Sequence, residues 1–153
     1  MESLERVLSG HPFAKGLETR FLKILVGCAS NVVFEADSFM FHEGEDANQF
    51  YIIRKGKVAL EIHDSGRGPV SVETLTEGEV VGWSWLVPPY HWHFDGHVIE
   101  RIQAIALDAK CLRKKCNEDH SLGYELLMRI VPLITHRLQS TRIQLMDIYG
   151  TRD

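Results

Sequence analysis

Residues 3–29 carry hydrophobic side chains at the three- and four-residue spacing of an α-helix. These side chains form two sets: Leu4, Val7 and Leu8, followed by Leu17, Phe21, Ile24 and Leu25. Gly10 and Pro12 lie between the two sets and predict a break in the helix there. We therefore expect two N-terminal helices within residues 1–30.

From about residue 31 the hydrophobic spacing changes to two, which is typical of strands. The alternating residues are Val32 and Phe34, then Val58, Leu60 and Ile62, then Val70 and Val72. The continuous apolar run at residues 50–53 predicts a strand covered on both faces. Turn-forming residues interrupt these runs at Glu43-Gly44-Glu45, Lys55-Gly56-Lys57, residues 65–69 and Glu77-Gly78-Glu79. Many short strands separated by turns predict a sandwich or barrel over residues 31–107.

The helical spacing returns after Leu107 and predicts C-terminal helices within residues 108–150. Asp108 is the predicted N-cap of a short helix through Cys116, and Ser121 that of a longer one. Pro132 lies inside the longer helix and is expected to kink it. The longer helix carries a heptad stripe, with positions separated alternately by four and three residues. The stripe consists of Leu127, Val131, Ile134, Leu138, Thr141, Leu145 and Ile148.

Two interpretations of this heptad stripe are open. It packs on the β roll, as one apolar face of any surface helix does, or it forms the seam of a parallel homodimer. In the second case Thr141 would be a polar residue within the seam, which can specify the register of the two helices. We favour the homodimer.

The composition narrows the class of protein. A chain of 153 residues is the size of one ordinary domain, and 44% hydrophobic with 25% charged residues excludes intrinsic disorder. The net charge of −4 argues against a dedicated nucleic-acid binder. No run approaches 18 apolar residues, and the N-terminal MESLERVLSG lacks the features of a secretory signal. Cys28, Cys111 and Cys116 show no paired spacing, which predicts reduced thiols in the cytoplasm.

Residues 39–62, FMFHEGEDANQFYIIRKGKVALEI, carry a more specific pattern. Its features are a hydrophobic pair before Glu43-Gly44-Glu45, then Ala47, Tyr51-Ile52-Ile53, Gly56 and Val58. This pattern resembles the cyclic-nucleotide-binding fold of the catabolite activator protein (Crp/Fnr) superfamily. Residues 75–82, LTEGEVVG, resemble the turn before the phosphate-binding cassette of that family, and His136-Arg137-Leu138 with the heptad stripe resembles its long dimerisation helix.

The resemblance implies a mainly β fold with flanking helices: a double-stranded β-helix, or jelly roll, with N-terminal helices and a long C-terminal helix. In the transcription factors of that superfamily a helix-turn-helix domain follows the long helix. Here the sequence ends at Asp153, soon after the last position of the stripe, so we expect a single domain over residues 1–153 that does not bind DNA directly. Arg113-Lys114-Lys115 is expected to be a solvated helix face.

The cassette departs from the pattern of the nucleotide-binding members. There the cassette begins Gly-Glu and later carries an Arg, and the resemblance implies that these side chains bind the ribose hydroxyl and the cyclic phosphate. Here Trp83 follows Gly82, and Trp92, His93 and Phe94 occupy the region of the Arg. Losing both charged partners would weaken binding by about 3 to 6 kcal/mol, or about two to four orders of magnitude. We therefore do not expect a cyclic nucleotide to bind in the usual mode.

Aromatic residues are concentrated in this altered cassette: Trp83, Trp85, Tyr90, Trp92 and Phe94. Backbone N–H groups after Gly82 and the Ser84 hydroxyl are candidates to cradle an anion, and the rings are candidates to stack on a flat ligand. Three interpretations stay open: a cavity filled by its own side chains, a different small ligand, or a cyclic nucleotide held in a modified way. The candidate ligand-binding residues are Gly82, Trp83, Ser84, Trp92 and His93, with Thr141 added because it matches a polar ligand-facing position on the family's long helix.

His91, His93 and His97 form an H-x-H-x-x-x-H pattern that is similar to the metal motif of cupins. The glycine spacing and the later acidic ligand of cupins are not matched, so these histidines are weak metal candidates and are expected to pack or to form hydrogen bonds. No G-x-S-x-G elbow, P-loop or paired-carboxylate site is present, so we do not expect an enzyme. The lysines beside Cys116 would lower the pKa of its thiol, which makes it a candidate redox sensor.

These observations predict a non-catalytic sensory or regulatory module that dimerises through its C-terminal helix and transmits its signal through a partner protein. One rival is a structural dimer whose filled cavity binds nothing. The other is a metal-dependent cupin-like enzyme.

Overall fold

The computed structural model describes residues 3–150, with side chains described for residues 3–147. Within this range the order of elements agrees with the three predicted parts of the chain. The elements are α1 Leu4–Gly10, α2 Thr19–Gly27, β1 Ala29–Phe34, β2 Phe39–Phe41, β3 Gln49–Asp64, β4 Gly68–Thr76, β5 Val80–Val81, β6 Asp95–Asp108, α3 Ala109–Glu118 and α4 His120–Gly150.

The strands form one antiparallel sheet in the order β1-β6-β3-β4, with β2 paired to β6 and β5 paired to β3. The long strands β3 and β6 form the centre of the sheet and pair with each other along most of their length. The fold is therefore mainly antiparallel β with helices before and after it, as predicted. The run at residues 50–53 is buried on both faces, also as predicted.

The predicted turn at Lys55-Gly56-Lys57 is wrong, because β3 continues through these residues. The register between β3 and β6 shifts three times around them, which makes the segment a bulge inside one long strand. Gly56 has a φ of 107°, and a Cβ atom there would collide with the backbone carbonyl of Arg101. The glycine permits a close approach of two strands, and its sequence signature is the same as that of a turn.

The two C-terminal helices begin at aspartates. The Asp108 side chain accepts a hydrogen bond from the Cys111 N–H (2.9 Å), as predicted for the N-cap of α3. The predicted cap of α4 at Ser121 is wrong, because the Asp119 carboxylate accepts from the N–H groups of Ser121 (3.0 Å) and Leu122 (3.3 Å). Asp119 satisfies the orphan donors that a serine two residues later cannot reach. α4 runs through Pro132 without interruption.

Two different faces of α4 are apolar. Leu122, Leu126 and Ile130 are buried in the hydrophobic core. The predicted heptad stripe lies mostly on another face, where four of its members are 45% to 60% exposed: Leu127, Val131, Leu138 and Leu145. The interpretation in which these four residues pack on the roll is therefore wrong. Ile148, the last position of the stripe, lies outside the residues whose side chains are described.

The prediction of three reduced thiols is wrong, because Cys28 and Cys111 form a disulfide. Cys28 follows α2 and Cys111 lies in the first turn of α3, and the pairing of β1 with β6 brings these two chain segments together. The Asp108 N–H donates to the Cys28 carbonyl at 2.9 Å, so the contact is also held by the backbone. Sequence spacing did not reveal the pair because 83 positions separate the two cysteines.

The remaining cysteine, Cys116, is half-buried. Burial and the nearby Asp119 carboxylate raise the pKa of its thiol. The predicted lowering of this pKa by neighbouring lysines is therefore wrong. None of the helices within residues 3–150 has an apolar stretch long enough to cross a lipid bilayer.

Candidate ligand site

The cassette begins at a glycine that the structure requires. Gly82 follows β5 with a φ of 95°, and a Cβ atom at this position would lie 2.5 Å from the Trp92 ring. Trp92 is buried and stacks on Phe41, with 3.7 Å between the ring centroids. The absence of a side chain at Gly82 therefore lets the Trp92 ring approach the backbone closely, where it lines a cavity.

This cavity is lined by residues of the roll, of the cassette and of α4, and one of them, His93, is exposed. Its lining residues are Phe41, Leu60, Val81, Gly82, Trp83, Ser84, Trp92, His93, Phe94 and Arg137. The space left inside is about 20 Å³, which is room for roughly one water molecule. Ligand pockets for small molecules are typically about 300 Å³ or larger. The cavity is therefore closed by its own side chains in this conformation.

The Arg137 side chain reaches from α4 to the cavity and forms part of its lining. The carbon of its guanidinium lies 4.7 Å from the centroid of the Trp83 ring and 4.8 Å from that of Phe94. Its Nη2 lies 2.6 Å from Oε2 of Glu73 on β4, and the two side chains are only 15% and 19% exposed. Burial lowers the pKa of the Arg137 guanidinium, while the Glu73 carboxylate acts in the opposite direction. The residue thus forms a largely buried ion pair between two aromatic faces.

Polar contacts hold α4 to the rest of the domain at two further points. Nη1 of Arg129 donates to the carbonyl oxygens of Phe13 (2.9 Å) and Lys15 (3.0 Å). Near the C-terminal end of α4, Nε2 of Gln144 donates to the Val72 carbonyl of β4 at 3.1 Å. Arg137 lies between Arg129 and Gln144 on α4. Its contacts at the cavity therefore also help to attach α4 to the rest of the domain.

Five of the predicted site residues line this one cavity: Gly82, Trp83, Ser84, Trp92 and His93. Thr141 lies about one turn beyond Arg137 on α4 and is exposed in the single chain. It does not contribute to the cavity lining.

The aromatic residues of the cassette serve two different environments. Trp83, Trp92 and Phe94 line the cavity. Trp85 instead points into the core, where its ring stacks on Phe50 at 5.0 Å. Tyr90 lies against the guanidinium of Arg113 from α3, at 4.2 Å from the ring centroid.

Arg113 also corrects the prediction for the cluster Arg113-Lys114-Lys115. Its Nη1 donates to the Trp85 carbonyl at 2.6 Å, so this half-buried arginine fastens the cassette to α3. Lys114 and Lys115 are exposed, as predicted. The prediction of a solvated face is therefore wrong for Arg113 alone.

The three histidines of the H-x-H-x-x-x-H pattern do not converge. His91 pairs with Asp46 (3.2 Å), His93 lines the cavity, and His97 pairs with Asp37 (2.7 Å) and Glu61 (3.1 Å). The hydrogen bonds to Asp37 and Glu61 raise the pKa of His97. Among the residues that the structure describes, no group of three or more His, Cys, Asp or Glu side chains is arranged to hold a metal ion.

Arg137 and Glu73 are the site residues that sequence reasoning missed. Arg137 was visible only as part of the motif that resembles the family's long helix, and Glu73 only as a polar position in an alternating strand.

The fold and this cavity define a β-roll domain whose C-terminal helix contributes to the lining of a small cavity. The sequence model of the family described as the cyclic nucleotide-binding domain matches residues 31–119. This match covers more than half of the chain. The chain belongs to the cyclic nucleotide-binding domain family, as the motifs at residues 39–62 and 75–82 predicted.

Solved structures show the same fold. A candidate cyclic nucleotide-binding protein from Geobacter metallireducens superposes with a TM-score of 0.78 and 23% identity, over 90% of this chain and 99% of that chain. The c-di-GMP responsive global regulator CLP from Xanthomonas campestris gives a TM-score of 0.74 and 13% identity, over 89% and 66%. The sensor domain of the transcriptional regulator DNR from Pseudomonas aeruginosa gives 0.71 and 17%, over 90% and 95%. None of the curated proteins compared with the chain matches it.

Proposed function

We propose that this domain is a non-catalytic regulatory module that takes a small ligand into the cavity of the roll and reports binding through the position of α4. The observation that carries the proposal is the place of Arg137, which belongs to α4 but occupies the cavity between Trp83 and Phe94. A ligand of ordinary size does not fit beside it in about 20 Å³. Ligand entry must therefore move Arg137, and with it the segment of α4 that carries it.

The energy for this movement has to come from the ligand. A ligand shifts the position of α4 only if it binds the open state more tightly than the closed state. The closed state is stabilised by the ion pair with Glu73 and by two cation–π contacts. A ligand that replaces these contacts with stronger ones of its own would drive the change.

We further propose that the domain forms a parallel homodimer through the heptad stripe of α4. The support is the exposure of apolar side chains at 45% to 60% on a helix face that the roll does not cover: Leu127, Val131, Leu138 and Leu145. Burying such side chains against a second copy removes apolar surface from water. Thr141 would lie in this seam. If Thr141 also contacts the ligand, the partner copy would lie close to the cavity.

The similar structures support a regulatory role, since two of them are described as a global regulator and as a sensor domain of a transcriptional regulator. The ligand of this domain is a separate question, because Trp83 stands where the family's cassette has its glutamate. We propose that the domain does not bind DNA itself, which its net charge of −4 supports, and that its output is read by a partner protein.

A second candidate function is a structural dimer whose cavity is permanently filled. The observation in its favour is the same small volume of about 20 Å³, because a cavity packed by its own side chains is also what a core looks like. The two candidates differ in one measurable property: only the regulatory module gains stability when a ligand is supplied.

The first experiment is therefore thermal unfolding with saturating cyclic AMP, cyclic GMP, cyclic dinucleotides and, separately, divalent metals. A ligand at about 100 times its dissociation constant adds about 2.7 kcal/mol, which for a domain of this size raises Tm by roughly 5 to 10 °C. A shift with one compound supports the regulatory module and identifies its ligand class. Native mass spectrometry of the purified protein tests the same point for a ligand that co-purifies. Absence of any shift and of any co-purified molecule favours the structural dimer.

The dimer has its own test. Leu138→Asp places a charge in the stripe and is expected to give a monomer in size-exclusion chromatography with light scattering. The matched control is Gln139→Asp, which adds the same charge at the next, exposed position outside the stripe. A wild-type monomer at all accessible concentrations, or two variants that behave alike, would contradict a dimer through this face.

A further inference from the structure

We infer that the cavity is a cation site, and that its ligand carries a guanidinium or a quaternary ammonium group which replaces Arg137. The inference rests on the proposed function, because it names the chemistry of a ligand for the same cavity. It starts from what surrounds the guanidinium of Arg137: the face of Trp83, the face of Phe94 and the carboxylate of Glu73. In the closed state the guanidinium of Arg137 therefore occupies the position that a cationic ligand would take.

The groups around the guanidinium are complementary to positive charge. The faces of aromatic rings carry negative electrostatic potential and attract cations within about 6 Å of the ring centroid. Both rings lie within that range of the Arg137 guanidinium. Glu73 supplies a full negative charge that is four-fifths buried. Two ring faces and a carboxylate together form a cage of the kind that recognises methylated ammonium and guanidinium groups.

The same groups oppose an anion. A phosphate in the cavity would have to compete with Glu73 for the guanidinium of Arg137. If Arg137 turned to pair with the phosphate, Glu73 would lose the cation that compensates its charge, and a buried charge without a partner is strongly destabilising. His93 is the other titratable side chain in the cavity lining, and Glu73 lies outside this lining, against Arg137. An anion that took Arg137 from Glu73 would therefore have to offset the charge left on Glu73.

Arg137 itself leaves part of the site unused. Its Nη2 contacts Oε2 of Glu73 at 2.6 Å. Nε of Arg137 is buried and has no acceptor among the described residues. An arginine and a carboxylate in good geometry form two parallel N–H···O bonds. A free guanidinium is not tethered to α4, so it can rotate into that geometry and bind Glu73 better than Arg137 does.

Replacement of Arg137 by such a ligand would remove the middle of the three attachments of α4. Gln144, which donates to the Val72 carbonyl of β4, would stay in place as a further contact of this part of α4. Ligand binding would therefore loosen this part of the helix, which also carries Leu138 and Leu145 of the stripe. The cation site and the output helix are thus connected through a single side chain.

The experiment is chemical rescue of the cavity left by Arg137→Ala. The probe is ethylguanidinium at about 10 mM, far below the molar concentrations at which guanidinium unfolds proteins. At about ten times its dissociation constant the probe should raise the Tm of this variant by about 3 to 6 °C. Ethylurea has nearly the same shape without the charge and should give no rise. Arg142→Ala removes an exposed arginine from the same helix and should not respond.

Glu73 supplies the second half of the test. The double variant Arg137→Ala with Glu73→Gln keeps the cavity and the rings but removes the carboxylate, and it should bind ethylguanidinium at least about tenfold more weakly. Equal rescue by ethylurea, no rescue in the single variant, or undiminished rescue in the double variant would overturn the cation site. If Arg137→Ala does not fold, the wild-type protein is titrated with agmatine and tetramethylammonium while the Nε–Hε signals of ¹⁵N-labelled arginines are followed. A shift of the Arg137 signal then supports the cation site, and an unchanged signal overturns it.

The outcomes separate this inference from the proposed function. If a cation shifts the Arg137 signal of the wild-type protein but the position of α4 does not change, the cation site stands and the regulatory role fails. If a cyclic nucleotide stabilises the wild-type protein and no cation binds either protein, the regulatory role stands and the cation site fails.

Discussion

The ion pair between Arg137 and Glu73 gives the sharpest prediction on stability. Removing one partner of a buried ion pair costs about 3 to 5 kcal/mol, because the other charge is left buried without compensation. Here 15% and 19% of the two side chains are exposed, so water screens the charge left behind. We therefore expect about 2 to 3 kcal/mol for Glu73→Gln alone and a similar loss for Arg137→Met alone.

The double variant should lose much less than the sum of the two. With neither charge present, a methionine between the rings of Trp83 and Phe94 packs as a hydrophobic residue, and the expected loss is at most about 2 kcal/mol. The coupling free energy between positions 73 and 137 is then about 2 kcal/mol or more, far above the roughly 0.5 kcal/mol of independent sites.

The assay is urea unfolding followed by far-ultraviolet circular dichroism, at one protein concentration because the stability of a dimer depends on concentration. Arg142→Met on the exposed face of the same helix is the matched control and should stay within about 0.5 kcal/mol of wild type. Losses in the Glu73 and Arg137 variants that are below about 0.5 kcal/mol and simply additive would refute the view that this pair holds α4 on the roll.

Three further predictions follow from individual residues. Gly82→Ala should cost at least about 1 kcal/mol, because its φ of 95° is strained for alanine; Gly10→Ala, which has open space and an ordinary φ, is the control in the same unfolding assay. Reduction of the Cys28–Cys111 disulfide should lower the free energy of unfolding by about 2 to 4 kcal/mol, and a thiol reagent should label one cysteine before reduction and three after it in denatured protein; three thiols before reduction would contradict the disulfide. The pKa of His97 is raised above its usual value of 6.5 by its two carboxylate partners, so its stabilisation is complete below about pH 6.5 and is lost as the pH rises through the folded-state pKa. The urea midpoint of wild type should fall over this range relative to His97→Gln, and parallel curves would contradict the assignment.

Local physics explains why the order of elements could be predicted. The hydrophobic spacing changes from helical to alternating near residue 31 and back after Leu107. It does so because each helix or strand has to bury one of its own faces. The caps and the bulge show the limit of this reasoning. Asp119 and Ser121 both look like N-caps, and Gly56 looks like a turn, because the same residue types serve both roles. Only the pairing of β3 with β6 decides between a turn and a bulge.

The candidate site was partly predictable for a related reason. The cassette residues from Gly82 to Phe94 are close in sequence, so one motif located most of the cavity lining. Arg137 and Glu73 come from a helix and a strand that meet only after folding, and a charged residue in an amphipathic helix predicts solvent exposure by default. The disulfide between Cys28 and Cys111 escaped prediction in the same way, because it depends on the antiparallel pairing of β1 and β6.

β4 lies at the end of the sheet path and pairs with β3 along its length. Val72 bulges out of that pairing between Ser71 and Glu73, and its carbonyl is the one that accepts from Gln144 of α4. Edge strands are where sheets of separate molecules join, because their outer N–H and C=O groups are available to another chain. By occupying the Val72 carbonyl, α4 therefore also hinders the pairing of β4 with a strand of another molecule. A protein shortened before Gln144 should keep its roll but aggregate when it is concentrated.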